Sequence, residues 1–471
     1  MLALPKRDLP GARLMRAGAL AAFALAAAVG CTALPVINPD MALRPSRQVQ
    51  LEGARGPLTA QQSKAVLAKL AARGEETSIF DRHLALEESI AGSPLVTGNK
   101  VTLLQDGPAT YQAMLAAIRG AERHIDVETY IIEDDEVGNR FADALIEKQS
   151  RGVQVSLLYD SVGSMNTPKA FFQRLAGSGV KVLEYNPINP LTAKKGWDVN
   201  QRDHRKLLLV DGRTVFLGGI NISSVYSGGS FSPASKQRPD GGLPWRDTHL
   251  KVEGPVVADF QALFLASWEK QKGELQARSG PLPVPAARGK EVVRAIGSSP
   301  DEPFSLIYAT LISAIGAAET SVYLTNAYFV PDPQLLAALT DAAGRGVDVQ
   351  LILPGKSDSV LVLHAGRAHY GDLLRGGVKI HERRGALLHA KSALIDGVWS
   401  TVGSTNLDWR SFLHNDEVNA VVLGQDFGAQ MRAMFEADLA ASHPVTLEAW
   451  EGRPLGDRLM EIAARVWERL L

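Results

Sequence analysis

The chain has 471 residues, enough for two core-bearing domains, and its 45% hydrophobic content is ordinary for a globular protein. Fifty basic residues stand against 51 acidic ones for a formal net charge of −1, so the chain has no global attraction to a polyanion and nucleic acid is not an expected partner. One cysteine, Cys31, excludes any intrachain disulfide.

At the N-terminus Lys6, Arg7, Arg13 and Arg16 precede the apolar run AGALAAFALAAAVG. That run is too short for a comfortable membrane span and ends in small residues, as a secretory signal does. The sequence AVGC, closing on Cys31, resembles the lipobox of bacterial lipoproteins, in which the Cys becomes the lipidated first residue of the mature chain. Residues 1–31 are expected to be a signal peptide and Cys31 a lipidation site, which places the rest of the chain at a membrane on the periplasmic side. An uncleaved anchor helix and an incidental cysteine are the competing readings. Residues 32–95 read as a tether, extended where proline discourages helix, with short helices near 60–73 and 78–90.

From about residue 96 the chain repeats itself. AIRGAERHIDVETYII (117–132) matches AIGAAETSVYLTNAYFV (314–330), RGVQVSLLYDSVGS (151–164) matches RGVDVQLILPGKSDS (345–359), and SGVKV (178–182) matches GGVKI (376–380). Each unit alternates helices with apolar strands, a pattern that argues an α/β fold with a largely parallel sheet covered on both faces. The first unit is expected over 96–278 and the second over 291–446, joined by a linker of surface composition at 279–290. The first copy carries an insertion in EYNPINPLTAKKGWDVNQRD, read as a loop shaping substrate access. A second loop, VYSGGSFSPASKQRPDGGLPW (225–245), fits a lid or a plain surface connection equally well.

The most informative repeat is shorter. HRKLLLVD begins at His204 and HAKSALID at His389, so His204, Lys206 and Asp211 recur as His389, Lys391 and Asp396. Gly218 and Asn221 follow the first copy, and Gly403 and Asn406 the second, in the same register. On a strand, residues two apart share a face, so each motif presents an imidazole and an ammonium together. A metal site is the obvious alternative for His and Asp, but a fixed ammonium has no lone pair and repels a divalent cation, so no metal or other cofactor is expected. Two His, two Lys and two Asn amides converging on one point suit a phosphate diester. Asp211 and Asp396, at the strand ends, are expected to accept hydrogen bonds from neighbouring loops.

HxKxxxxD followed by GxxN, once per half, resembles the phospholipase D superfamily. NQRDHRKLLLVDGRTVFLGGINIS and HAKSALIDGVWSTVGSTNLDWRSFLHNDEVN resemble its bacterial cardiolipin synthase branch. The resemblance covers about residues 97–445. It implies two duplicated α/β domains related by a pseudo-twofold axis, with mostly parallel sheets. It also implies metal-free phosphoryl transfer through a phosphohistidine, with His204 as nucleophile and His389 as acid and base. Lys206, Lys391, Asn221 and Asn406 would then hold the phosphate oxygens, and Asp247 and Glu417 would orient the two imidazoles. The implied substrates are phospholipids at a membrane surface: phosphatidylglycerol as phosphatidyl donor, with phosphatidylethanolamine as a possible second lipid. Hydrolysis by a phospholipase D or nuclease, with water as acceptor, is the alternative, and a non-catalytic lipid-binding relative is a third.

At the C-terminus, residues 447–471, Leu459, Ile462, Val466, Trp467 and Leu470 fall on one face of a helix. Packing of that face against the domain is the expected arrangement, with a helix lying on a bilayer as the other.

Overall fold

The computed structural model describes residues 49–71, 83–84, 92–188, 198–230, 242–273 and 285–471. Cys31 and its signal segment, most of the helix expected near 78–90 and the middles of both loops lie outside the described residues, as does part of the linker. The helix expected near 60–73 runs over Ala60–Ala71. Among the described residues no helix is long and apolar enough to cross a membrane.

In the first half, β1 (Leu95–Gln105), α1 (Asp106–Gly120), β2 (His124–Thr129), α2 (Glu136–Ser150), β3 (Gln154–Asp160), α3 (Lys169–Gly177) and β4 (Lys181–Tyr185) alternate. They are followed by β5 (Leu207–Val210), β6 (Thr214–Gly218), β7 (Thr248–Glu253) and α4 (Val257–Lys270). The second half repeats the series: β8 (Glu291–Ser298), α5 (Leu306–Ala317), β9 (Ser321–Asn326), α6 (Pro333–Gly344), β10 (Asp348–Pro354), α7 (Val360–Arg367), α8 (Tyr370–Arg375) and β11 (Lys379–Arg383). It continues with β12 (Lys391–Ile395), β13 (Trp399–Gly403), β14 (Asn415–Leu423), α9 (Gln425–Ala440) and β15 (Ser442–Val445).

The strand order β4-β3-β2-β5-β6-β7-β1 in the first half recurs as β11-β10-β9-β12-β13-β14-β8 in the second. β1 and β8 pair antiparallel, Glu291 with Asn99 and Val293 with Val96, so the two sheets run on as one. Matching order on both sides of that seam is the pseudo-twofold relation. The sheets are mixed: β2, β3 and β4 are parallel to one another, as are β9, β10 and β11, whereas the motif strands enter antiparallel. The reason is local. Strands joined through a helix return in the same direction, but each motif strand turns back on itself in a tight hairpin. Val210 accepts from the Arg213 N–H and Ile395 from the Val398 N–H, closing four-residue turns over Asp211-Gly212 and Asp396-Gly397. All four central residues have positive φ, 54° and 61° in the first turn and 49° and 67° in the second, the signature of a type I′ turn.

Each half buries its own apolar core, around Phe141, Leu145 and Leu157 in the first and Leu324, Leu339 and Leu351 in the second. A third cluster belongs to both: Leu207, Leu217, Phe260 and Phe264 pack with Leu394, Val402, Val418 and Met431. Removal of that much shared apolar surface from water holds the halves together at about 1.5–3 kcal/mol per fully buried side chain.

In place of one C-terminal helix there are α10 (Leu447–Glu451), α11 (Leu455–Arg465) and a 3₁₀ turn at Glu468–Leu470, the break falling at Gly452-Arg453-Pro454. Proline lacks the N–H that a continuous helix requires. The expected inward face is reversed: Leu455, Leu459, Ile462 and Val466 are exposed, and Glu461 and Ala464 are buried.

Candidate active site

Each histidine is held by the opposite half. Arg202–Asp203 pairs in parallel with the first residues of β14, Arg202 with Asn415 and Asp203 with Asp416. The next N–H, that of His204, donates to the Asp416 carbonyl at 2.9 Å. Trp245–Arg246 pairs in the same way with Leu387–Leu388, and the His389 N–H donates to the Arg246 carbonyl at 2.7 Å. One residue past each of those carbonyls comes a carboxylate. Glu417 lies 3.0 and 3.1 Å from His204 Nδ1 through its two oxygens, and Asp247 Oδ2 lies 2.7 Å from His389 Nδ1. The first-half motif therefore takes its orienting carboxylate from the second half, and the second-half motif from the first.

The carboxylates are themselves fixed. The Ser404 hydroxyl donates to Glu417 at 2.5 Å and the Asn415 amide at 3.2 Å, while the Thr248 N–H donates to Asp247 at 2.7 Å. Nδ1 of each imidazole faces an ionised carboxylate, so the neutral ring carries its proton there and leaves the Nε2 lone pair for chemistry. Burial pushes His204 down to about 4, against the opposing pull of Glu417. Burial also tends to raise Glu417, but His204 and Lys206 bring it down to about 2. His389 is lowered by burial and by Lys391, and Asp247 is lowered because His389 and Lys391 outweigh its burial.

Lys206 and Lys391 each donate to the carbonyl of the His two residues earlier. Burial pushes Lys206 down to about 7 and Lys391 to about 8, the nearby carboxylates opposing it. Each ammonium also depresses the histidine of the other half, Lys391 acting on His204 and Lys206 on His389. The two half-sites thus share one electrostatic centre. The negative charge of an anion bound at this centre would draw the lysines back toward full protonation.

Asp211 and Asp396 do not join this centre. The Asp211 carboxylate accepts from the N–H groups of Glu122, Arg123 and His124, and Asp396 from those of Glu319, Thr320 and Ser321. They stitch each motif hairpin to the start of the neighbouring parallel strand. Asn221 is likewise committed, accepting from the Ile131 N–H and donating to the Tyr226 hydroxyl. Asn406 is buried, and its Oδ1 has no partner among the described residues.

The repeated glycines have a steric cause. β6 and β13 end where the carboxylate-bearing strands cross them, with Gly218 opposite His249 and Gly403 opposite Asn419. A Cβ on Gly403 would lie 2.0 Å from Asn419 Oδ1 and 2.3 Å from the Val418 carbonyl, and one on Gly218 would lie 2.5 Å from the Thr248 carbonyl. Gly403→Ala is expected to destabilise the protein by about 2–3 kcal/mol, measured by urea denaturation, because the obstacle is partly backbone and cannot rotate away.

An aromatic lining went unread in the sequence. Tyr130 stands edge-on to His204 at 5.0 Å between ring centroids, and Tyr328 stands edge-on to His389 at 6.2 Å. Lys206 and Lys391 lie over the same two rings, at 5.1 and 6.0 Å. Trp245 and Tyr226 flank His389 at 5.1 and 5.6 Å, and the Tyr226 hydroxyl is 3.4 Å from its Nδ1. Tyr130 and Tyr328 do recur in the long repeat, each two residues before its end, which is the signal that could have found them.

A family profile described as "Cardiolipin synthase, PLD-like domain" matches residues 114–226 and 311–439, one stretch in each half. The cardiolipin synthase of Alkalihalophilus pseudofirmus is 34% identical over 390 residues, covering 82% of this chain and 75% of that protein. The cardiolipin synthase of Geobacillus sp. strain WCH70 is 34% identical over 391 residues, covering 82% and 76%. Among solved structures, a phosphatidylserine synthase from Haemophilus influenzae Rd KW20 superposes with a TM-score of 0.63 over 82% of this chain and 99% of that chain. At 13% identity that likeness is one of fold. The chain belongs to the phospholipase D superfamily, in its cardiolipin synthase family, and is a phosphatidyltransferase-class enzyme.

Proposed function

We propose that the enzyme joins two phospholipids into cardiolipin through a phosphohistidine on His204. The observation that carries this reading is the pair of crossed imidazole–carboxylate contacts around two buried lysines. His204 Nε2 attacks the phosphorus of phosphatidylglycerol, the phosphorus–glycerol oxygen bond breaks, and His389 gives the departing glycerol its proton. The neutral His389 then takes the proton from a hydroxyl of a second phosphatidylglycerol. That oxygen displaces His204 from phosphorus, so two phosphatidylglycerols become one cardiolipin and one glycerol. His389 must be protonated for the first step although burial and Lys391 favour its neutral form, and a bound phosphate anion supplies the charge that raises its basicity. Lys206 and Lys391 neutralise the oxygens as negative charge builds at phosphorus. Asp211 and Asp396 brace the hairpins, and Asn221 and Asn406 border the phosphate site.

Incubating the purified enzyme with phosphatidylglycerol, alone and with phosphatidylethanolamine, tests this by mass spectrometry of the lipids. A four-chain product means transfer, whereas phosphatidic acid alone means hydrolysis. Activity on a soluble phosphodiester is expected to survive EDTA undiminished, because the lysines supply the positive charge a metal would otherwise bring. Activity that falls on chelation and returns with one added metal would contradict that assignment.

The apolar N-terminal run and Cys31 support export and lipid anchoring on the periplasmic side. Two or more acyl chains on one cysteine give stable anchoring where a single chain is marginal. Cys31→Ser is expected to leave unprocessed precursor and to abolish lipid labelling, read by gel mobility and radiolabelled fatty acid.

A further inference from the structure

α11 is packed the wrong way round for water. Leu455, Leu459, Ile462 and Val466 follow one another at helical spacing and are 74, 67, 65 and 78% exposed, with Met460 and Leu470 exposed beside them. The side toward the protein carries Ala464 and a carboxylate. Glu461, 3% exposed, is paired with Arg453 at 2.6 Å, and Glu468 holds His369 at 3.1 Å. A helix whose only partner were the domain would turn its apolar stripe inward and leave these carboxylates in solvent. Here the Glu468–His369 contact and the burial of Ala464 hold the reversed orientation, and an apolar strip faces out.

A short relay of contacts links the strip to the active site. α11 packs along α7, whose first residues, Val360 and Leu361, are also exposed. Just before α7, Asp358 accepts from the Tyr328 hydroxyl at 2.7 Å, and Tyr328 is the ring edge-on to His389. At the other end of the C-terminal segment the Leu471 carbonyl accepts from the Arg410 N–H, and the Arg410 guanidinium holds Asn200 in the first half. Burial raises Tyr130, the ring edge-on to His204, and the positive charge of Arg410 partly opposes that rise. Across the seam Met165 is 64% exposed in the loop after β3, two residues past Gly163, which abuts Tyr130. Apolar side chains thus stand out from both halves near the two rings that flank the histidines. Arg465, 3.9 Å from Glu468, and Arg469, over the Trp409 ring at 5.8 Å, stand at the end of α11 and beyond it, at the border of the strip.

We propose that the outward face of α11 is the surface by which the enzyme docks on an anionic phospholipid bilayer, its apolar residues entering the acyl region and its arginines meeting lipid phosphates. The proposal rests on the lipid reading of the active site, since it places the docked strip beside the opening through which a headgroup would reach His204 and His389. A second copy of the chain is the rival occupant, but the chain belongs to a family of phosphatidyltransferases whose substrates are phospholipids, which favours a lipid surface.

The test uses the full chain carrying Cys31→Ser and Ile462→Cys, so that one thiol takes an environment-sensitive fluorophore. A parallel protein carries the label at Asp143, an exposed position on α2. Vesicles of phosphatidylcholine and phosphatidylglycerol contain nitroxide-labelled phospholipid. The label at 462 is expected to shift to the blue, brighten about twofold or more and be quenched by the nitroxide, while the label at 143 stays unchanged. Leu459→Asp with Ile462→Asp is expected to lower turnover of vesicle lipid about tenfold and leave turnover of a dispersed short-chain phosphatidylglycerol unaltered. A 462 label that stays wet on vesicle-bound protein overturns the proposal, as does one already blue in buffer and indifferent to vesicles. A response that follows protein concentration without vesicles assigns the strip to a second copy instead. Insertion needs no turnover, so a protein that inserts at 462 but forms no new lipid keeps the docking surface and loses the catalytic reading. One that forms cardiolipin with 462 in water loses only the docking surface.

Discussion

His204→Ala is expected to reduce turnover by a factor on the order of a million and to leave no covalent intermediate, because in the proposed mechanism the attacking nitrogen is His204 Nε2, on the ring that Glu417 orients through Nδ1. His389→Ala is expected to be comparably inactive on phosphatidylglycerol but to differ in kind. With a leaving group that needs no proton, such as a nitrophenyl ester, it should still form the phosphohistidine and stall there. Rapid acid quench with phosphorus-labelled substrate, followed by recovery of labelled protein, separates the two variants. Label on the His204→Ala protein would reverse the roles.

Glu417→Gln is expected to lower kcat by about 10²–10³-fold with little change in KM, since the amide keeps the shape of the contact but not the charge that orients the ring and makes it basic. The sign of the pH effect follows from the same pair. Burial lowers His204 to about 4 and Glu417 opposes that lowering. Loss of the carboxylate therefore drops His204 further, and the acid limb of kcat/KM moves to lower pH. An unchanged acid limb would mean that the limb belongs to another group. The variant also reports on assembly: Glu417 lies in the second half and the ring it serves in the first, so a defect confined to first-half chemistry would arise from a second-half substitution.

The duplicated units and the paired motifs were legible because they rest on identity in register, which needs no knowledge of geometry. His204 and His389 stand out as a repeat long before either has a neighbour. The crossing was not legible. Asp247 and Glu417 each follow the motif of their own half, and chain order suggests that each serves it, but a side-chain contact is set by which strands pair across the seam. The antiparallel entry of the motif strands could have been read from Asp211-Gly212 and Asp396-Gly397, the residue pair that favours a tight hairpin, but the alternation of helices and strands masked it. The direction of α11 was beyond reach for another reason. Helical periodicity identifies an apolar stripe and says nothing of which side the protein occupies, and here the contact of Glu468 with His369 and the burial of Ala464 go with the other side.

The exchange of carboxylates between halves makes activity conditional on assembly. A chain with only one half folded, or with both folded and not yet joined, holds two histidines whose tautomer nothing enforces and two lysines without a common target. Such a species cannot attack the lipids around it while it matures. The docking of one sheet against the other completes both half-sites, so the contact that joins the halves is also the one that switches the chemistry on.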